Sequence, residues 1–153
     1  MNGEDPIGSL SELYQEVILD HYRKPRNFGM LRGADRKAEG HNPLCGDRIA
    51  LQVRTKDDVI DDIRFEGKGC AISTASASMM TEAVKGKSRA EAEALFEKFH
   101  ALVRGGGNGK SGLGKLEAFG GVGEFPLRVK CATLAWHTLK AALDGSGETI
   151  STE

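Results

Sequence analysis

The chain has 153 residues, which is the size of one ordinary domain. Apolar residues make up 39% of it and charged residues 28%, and the formal net charge is −1. This balance argues against a broad basic surface for nucleic acid or an anionic membrane, and no apolar run is long enough to cross a bilayer. The acidic N-terminus contains no apolar segment, so we expect no signal peptide and a cytoplasmic protein.

The first predicted element is a helix that begins at Ser9, with Glu12 completing a capping box. Apolar residues at helical spacing follow, and the helix should end before Pro25. His21 lies on this helix, and we expect it at the surface or at the edge of the core.

In the middle of the chain, the apolar residues recur at every second position. Apolar residues alternate with polar ones over residues 47–54, which predicts a half-buried strand. Residues 56–58 suit a turn, and a second strand over residues 59–65 completes an antiparallel hairpin. Residues 33–42 are interpreted as a weaker third strand.

Helices dominate the second half. One is predicted over residues 71–84, a second opens with a capping box of Ser88 and Glu91, and the last begins at Pro126. Residues 104–123 are rich in glycine and predict a loop, and residues 145–153 predict a frayed tail. Strands segregated from helices predict a single α+β domain over residues 1–153, with about three antiparallel strands packed against helices.

Cys45, Cys70 and Cys131 are the sequence's only cysteines, and three is a poor number for a disulfide framework. Scattered cysteines in a reducing compartment are instead buried, bound to metal or reactive. Which of these states applies is the main question that the sequence raises.

The surroundings of the cysteines favour a shared metal. Cys45 and Asp47 are two residues apart, so in an extended chain both side chains project to one side. Cys70 is predicted at a helix start, and Cys131 follows the cations Arg128 and Lys130 in the early part of the last helix. Three sulfurs and one oxygen suit tetrahedral zinc. The alternative is small buried cysteines and an aspartate that caps backbone amides.

Several motifs in order resemble the IscU/SufU/NifU-N family of iron–sulfur assembly proteins. The resemblance runs from about Leu10 to Leu143, and it includes the surroundings of all three cysteines. The matching segments are residues 13–22, 25–27, 42–47, 65–73, 75–80 and 128–136. The implied fold is α+β of the SufE/IscU type.

Two features resemble the SufU branch of this family. Scaffolds of the IscU type carry a histidine directly before the third cysteine, where this chain has Lys130, and the stretch at residues 98–121 is an insertion. The resemblance implies that Cys45, Asp47, Cys70 and Cys131 bind zinc. It also implies a zinc-dependent sulfurtransferase in which Cys45 and Asp47 are catalytic.

The resemblance also implies partners. The sulfur donor would be the SUF cysteine desulfurase, a pyridoxal-phosphate enzyme that carries sulfur as a persulfide, and Arg128 would contact it. Cys45 would leave the zinc when this partner docks and accept the sulfur. A downstream SUF scaffold would receive the sulfur next.

Two other hypotheses remain open from the sequence. The same cysteines could assemble a [2Fe–2S] cluster, which would make the protein a scaffold rather than an enzyme. A purely structural zinc site is the third hypothesis, although such sites usually use only cysteine and histidine.

Overall fold

The fold was obtained as a computed structural model that describes residues 12–104, 113–145 and 149–151. Its elements, in chain order, are α1 (Glu12–Arg23), β1 (Arg36–Asn42), β2 (Asp47–Lys56), β3 (Val59–Lys68), α2 (Ala71–Val84), α3 (Arg89–Val103), a 3-10 helix (Gly114–Glu124), α4 (Pro126–Leu143) and β4 (Thr149–Ser151). The predicted α+β class is confirmed. Among the described helices, none combines the length and the apolar composition that a membrane span requires.

The sheet has the strand order β3-β2-β1-β4. Strands β1, β2 and β3 pair antiparallel, as the sequence predicts. Strand β4 adds a fourth, parallel strand beside β1, with Gly40 opposite Ile150. The structure therefore differs at residues 149–151 from the frayed tail expected there, because the open edge of β1 offers backbone groups that a further strand can pair.

A tight turn joins β2 to β3. Its central residues Asp57 and Asp58 have φ angles of 54° and 66°, the left-handed conformation that aspartate tolerates better than most residues. The turn sends β3 back along β2, so that Lys68 pairs with Arg48. The end of β3 therefore lies beside the start of β2.

The core lies between one face of the sheet and the helices. Inward residues of β2 alternate with outward ones, and Ile49, Leu51 and Val53 are buried. Helix α4 packs across β1 and β2 and buries Leu134 and Trp136. Helix α2 packs between α1 and α4.

The region expected as a glycine-rich loop over residues 104–123 is partly helical. Residues 114–124 form the 3-10 helix, which buries Leu116, Phe119 and Val122. The Phe119 ring meets Phe99 of α3 edge-to-face, with centroids 5.6 Å apart. Burial of these apolar side chains outweighs the low helix propensity of the surrounding glycines. Residues 105–112 lie outside the described part of the chain.

His21 was expected at the surface or at the edge of the core. Its side chain is only 2% exposed, so it is buried. The Ser78 hydroxyl lies 2.7 Å from His21 Nδ1 and also accepts the Arg26 N–H at 2.9 Å. The other ring nitrogen, Nε2, lies 3.6 Å from Glu82 Oε1. Burial lowers the pKa of His21 and favours the neutral ring.

Candidate metal centre

The four predicted site residues come from three separate segments. Cys45 lies in the connection between β1 and β2, and Asp47 is the first residue of β2. Cys70 is the N-cap residue of α2, and Cys131 lies in the second turn of α4. They converge because β3 ends beside the start of β2 and because α4 crosses the same end of the sheet.

The structure brings the side chains of Cys45, Asp47 and Cys131 together, and Cys70 lies beside Asp47. The Sγ atoms of Cys45 and Cys131 are 3.6 Å apart. One ligand atom each from Cys45, Asp47 and Cys131 lies within 4.8 Å of the other two. Cys70 adjoins this group, since its Sγ atom is 3.9 Å from Asp47 Oδ2. Three of the four residues predicted from the sequence thus form one group, and Cys70 lies next to Asp47 outside it.

Asp47 is held in place by the residues that precede α2. Its side chain is buried, and its Oδ1 atom accepts the Cys70 N–H at 3.0 Å. Gly69 permits this approach, because a Cβ atom there would lie 3.1 Å from Asp47 Oδ1 and equally close to Ser73 Cβ. The Oδ2 atom faces the Cys70 sulfur, so one oxygen has a structural partner and the other belongs to the cluster.

Hydrogen bonding makes the thiols of Cys70 and Cys131 unequal. The pKa of Cys70 is lowered to about 6, mainly because the Cys131 thiol donates a hydrogen bond to the Cys70 sulfur. The Ser73 N–H donates a second hydrogen bond to that sulfur, whereas burial raises the pKa. The pKa of Cys131 is raised, because its proton is held in the bond to Cys70 and because the side chain is buried. The two thiols are thus shifted in opposite directions, and Cys70 is the more readily deprotonated of the two.

Arg128 also belongs to this charge pattern. Its guanidinium donates a hydrogen bond to Cys131, and this bond is the main reason why the pKa of Arg128 is raised. The negative charge of the Cys70, Cys131 and Cys45 sulfurs adds to the effect. The resemblance implied a contact with a partner for Arg128. The structure gives this exposed side chain a contact within the chain as well.

The donor set fits a tetrahedral zinc ion. With Zn–S bonds near 2.3 Å and Zn–O bonds near 2.0 Å, two sulfur ligands lie about 3.8 Å apart, and a sulfur and an oxygen about 3.5 Å apart. The observed S···S distance of 3.6 Å and S···O distance of 3.9 Å are close to these edges. Three thiols and one carboxylate are also ligands that zinc accepts. The donor types therefore fit zinc, and Cys45, Asp47 and Cys131 are the three residues whose ligand atoms lie within 4.8 Å of one another.

The thiols differ in their access to solvent. Cys45 is exposed, Cys70 is intermediate and Cys131 is buried. Three large apolar residues near Cys45 or Cys131 in the sequence have exposed side chains. Leu44 is 61% exposed, Leu127 is 55% exposed and Phe125 is 37% exposed. Leu127 is four residues before Cys131 and lies on the same face of α4. We call Leu44, Phe125 and Leu127 the apolar rim.

Sequence reasoning missed one residue of this site. Asn42 is fully buried, and its side-chain nitrogen lies 3.9 Å from Cys131 Sγ. The Asn42-Pro43 pair indicates a turn, but nothing local shows that the asparagine reaches a cysteine 89 positions away. His41 and His137 could also ligate a metal by residue type, but they are not in the metal-ligand group found among the described residues.

Comparison with known proteins places these features in a family. The profile of the family described as "NifU-like N terminal domain" matches residues 13–146. The iron–sulfur cluster assembly scaffold protein IscU of Streptococcus pyogenes is 47% identical over 92% of this chain and 88% of its own length. The zinc-dependent sulfurtransferase SufU of Bacillus subtilis is 46% identical over 86% of this chain and 90% of its own.

A solved structure shows the same fold. It is that of a candidate iron–sulfur cluster assembly scaffold protein for the SUF system from Fervidobacterium islandicum. The TM-score is 0.80 at 36% identity, over 87% of this chain and 98% of the other. By its sequence and its fold, the chain belongs to the IscU/SufU/NifU-N family.

Proposed function

We propose that this protein is a zinc-dependent sulfurtransferase of iron–sulfur cluster assembly, which accepts persulfide sulfur from a cysteine desulfurase on Cys45. The observation that supports this most is the exposure of Cys45, 3.6 Å from the buried Cys131 sulfur in a cluster with a carboxylate. The likeness to the sulfurtransferase SufU supports the same activity.

The proposed ligands are Cys45, Asp47, Cys70 and Cys131. A zinc ion bound there would keep the thiols deprotonated at neutral pH and would add no redox chemistry of its own. Asp47 is held by the Cys70 N–H at 3.0 Å, so its carboxylate stays aimed at the cluster while the connection that carries Cys45 moves. Gly46 has a φ of 75°, and the conformational freedom of glycine allows the connection to bend next to Cys45.

The transfer step balances without an oxidant. The Cys45 thiolate attacks the outer sulfur of the persulfide on the desulfurase, and a new S–S bond forms to Cys45. The S–S bond of the donor breaks, and the donor cysteine leaves as a thiolate. The Arg128 guanidinium, which interacts electrostatically with all three sulfurs, would stabilise the negative charge on the terminal sulfur that Cys45 then carries.

The proposed partners follow from this chemistry. The donor is the SUF cysteine desulfurase, a pyridoxal-phosphate enzyme, and the acceptor of the sulfur is a downstream SUF scaffold. The apolar rim and Arg128 would face the donor, because the donor persulfide must reach Cys45 at the surface.

A second function is supported by the IscU scaffold that is 47% identical to this chain. Three thiols and one carboxylate can also hold a [2Fe–2S] cluster. Lys130 favours the sulfurtransferase, since an ammonium group cannot ligate iron where an IscU-type scaffold has a histidine.

Transfer of labelled sulfur from a cysteine desulfurase tests the proposal. The wild type should carry labelled sulfur on Cys45, and each chain should pass on many sulfur atoms in turn. Cys45→Ser should accept none, while Cys70→Ser and Cys131→Ser should lose zinc. Normal acceptance by Cys45→Ser would defeat the assignment. A brown protein that binds iron and sulfide and gives no catalytic turnover would favour the scaffold function.

A further inference from the structure

Asn42 holds the connection that carries Cys45. It is the last residue of β1 and pairs across the sheet with Asp47, so residues 43–46 form the link between them. Its Oδ1 atom accepts the Leu44 N–H at 3.1 Å. Its backbone carbonyl accepts the N–H of Cys45 at 3.2 Å and of Gly46 at 2.8 Å. Pro43 has no N–H, so every amide hydrogen of the link is bound by Asn42.

The other end of the same side chain reaches a second thiol. Because Oδ1 is occupied by the Leu44 N–H, the amide nitrogen is directed at Cys131 Sγ, 3.9 Å away. An N–H donor withdraws electron density from a sulfur and lowers its nucleophilicity. Asn42 is 0% exposed, so water does not compete for either bond. One side chain thus contacts both the exposed and the buried thiol segments.

We propose that Asn42 is a positioning residue for sulfur transfer. It holds the link so that Cys45 faces the surface. Its amide N–H also lowers the nucleophilicity of Cys131, so that sulfur from a partner goes to Cys45 alone. This inference rests on the proposed function, because it concerns which thiol accepts the sulfur. Asn42 acts through Cys45 and Cys131 and does not touch the donor.

Two substitutions separate the two contacts. Asn42→Ala removes the side-chain acceptor for Leu44 and the donor to Cys131. Asn42→Asp keeps an oxygen for the Leu44 N–H, replaces the donor to Cys131 with a second oxygen and adds a negative charge there. Gln52→Ala is the matched control, because the Gln52 Oε1 atom also accepts a backbone N–H, that of Leu31, outside the cluster.

Alkylation by iodoacetamide, mapped to each cysteine by mass spectrometry, measures how firmly the link is held. In Asn42→Ala we expect the rate at Cys45 to rise about tenfold and the rate at the buried Cys131 to rise less, while the rate at Cys70 stays within about twofold. The maximal rate of sulfur transfer should fall about tenfold, with the half-saturating desulfurase concentration within about twofold. Gln52→Ala should match the wild type in all of these. A rise at Cys70 as large as that at Cys45 would mean general loosening and would overturn the inference.

The cobalt-substituted protein tests the contact to Cys131 and needs no sulfur transfer. In Asn42→Asp the sulfur-to-cobalt absorption band should shift, while alkylation of Cys45 stays at the wild-type rate. A band at the wild-type position, or alkylation like that of Asn42→Ala, overturns the inference. If Asn42→Ala does not fold, Asn42→Asp decides alone. A wild type that accepts no labelled sulfur would instead overturn the proposed function, and the two failures are thus distinguishable.

Discussion

At the scale of single residues, three identical thiols in one cluster have different environments. Cys45 is exposed, Cys70 accepts hydrogen bonds and has a pKa near 6, and Cys131 is buried with a raised pKa. A sulfur atom offered by another protein must come within bonding distance of its acceptor. Exposure therefore separates the proposed acceptor from the two thiols that complete the cluster.

Substitutions at Asp47 can test its contribution to folding stability separately from its contribution to metal binding. Asp47→Ala should lower the free energy of unfolding of the metal-free protein by about 1–3 kcal/mol, because the partly buried Cys70 N–H loses its acceptor. Asp47→Asn keeps an oxygen there and should lose much less. Urea denaturation measures both.

The same two variants test the carboxylate as a ligand. Both should bind zinc at least about 10-fold more weakly in competition with a chromophoric chelator, because an anionic oxygen is lost. Unchanged zinc affinity in Asp47→Asn would show that the carboxylate does not bind the ion.

His21 gives the stability of the protein a pH dependence. Burial is the main cause that lowers its pKa below the value near 6.5 of an unfolded chain. As the pH falls below about 6.5, the unfolded state takes up a proton that the folded state resists, so the free energy of unfolding decreases. In His21→Gln, denaturation followed between about pH 7 and pH 5 should show a shallower decrease.

The decrease should not vanish in that variant. Burial also lowers the pKa of His137, which therefore contributes a second part of the slope. A slope equal to that of the wild type would contradict the role assigned to the buried His21 ring.

At the scale of elements, the crossing of β1 over α4 positions the cluster. Gly40 faces α4 and lies two residues before Asn42, while Thr138 and Leu134 on α4 follow Cys131 by seven and three residues. A Cβ atom at Gly40 would overlap Thr138 Oγ1 and come within 3.1 Å of Leu134 Cδ1. The close approach of strand and helix brings Cys131 to the link that carries Cys45.

Gly40→Ala should therefore lower the free energy of unfolding by about 1–3 kcal/mol, because the methyl group has no space. The double variant Gly40→Ala with Thr138→Ala removes the overlapping hydroxyl. It should lose less than the sum of the two single losses in thermal or urea denaturation. Strict additivity would mean that the overlap is relieved elsewhere, and the packing explanation would fail.

At the scale of the whole molecule, several large apolar side chains are exposed to solvent. Six large apolar side chains are exposed among the described residues: Tyr22, Phe28, Met30, Leu44, Phe125 and Leu127. Three of them form the apolar rim beside the exposed Cys45. Apolar side chains beside a reactive group are typical of a surface that another protein covers.

Leu44→Ser and Leu127→Ser should weaken docking of a cysteine desulfurase. We expect the concentration for half-maximal sulfur transfer to rise about tenfold, with little change in the maximal rate, because binding contacts are lost and the reacting groups stay. Met30→Ser is the matched control, since Met30 is 74% exposed and lies outside the rim. An equal effect in Met30→Ser would show that the rim has no special role.

Local chemistry decided much of the fold. The helix predicted over residues 71–84 has those bounds in the structure, the capping box of Ser88 and Glu91 forms, and Pro126 begins the last helix. Each signal acts within a few residues, through periodicity, capping or the fixed φ of proline. The residue types around the cysteines likewise indicated a site of three sulfurs and one oxygen before any coordinates.

Only the tertiary structure decided how these residues are used. It buried His21 against Ser78, packed Phe119 on Phe99, and paired β4 with β1. It also made Cys45 the exposed thiol, placed Cys131 in the core and brought Asn42 to both. These outcomes depend on contacts between segments far apart in the chain, and no periodicity or capping motif encodes which distant surfaces will pack.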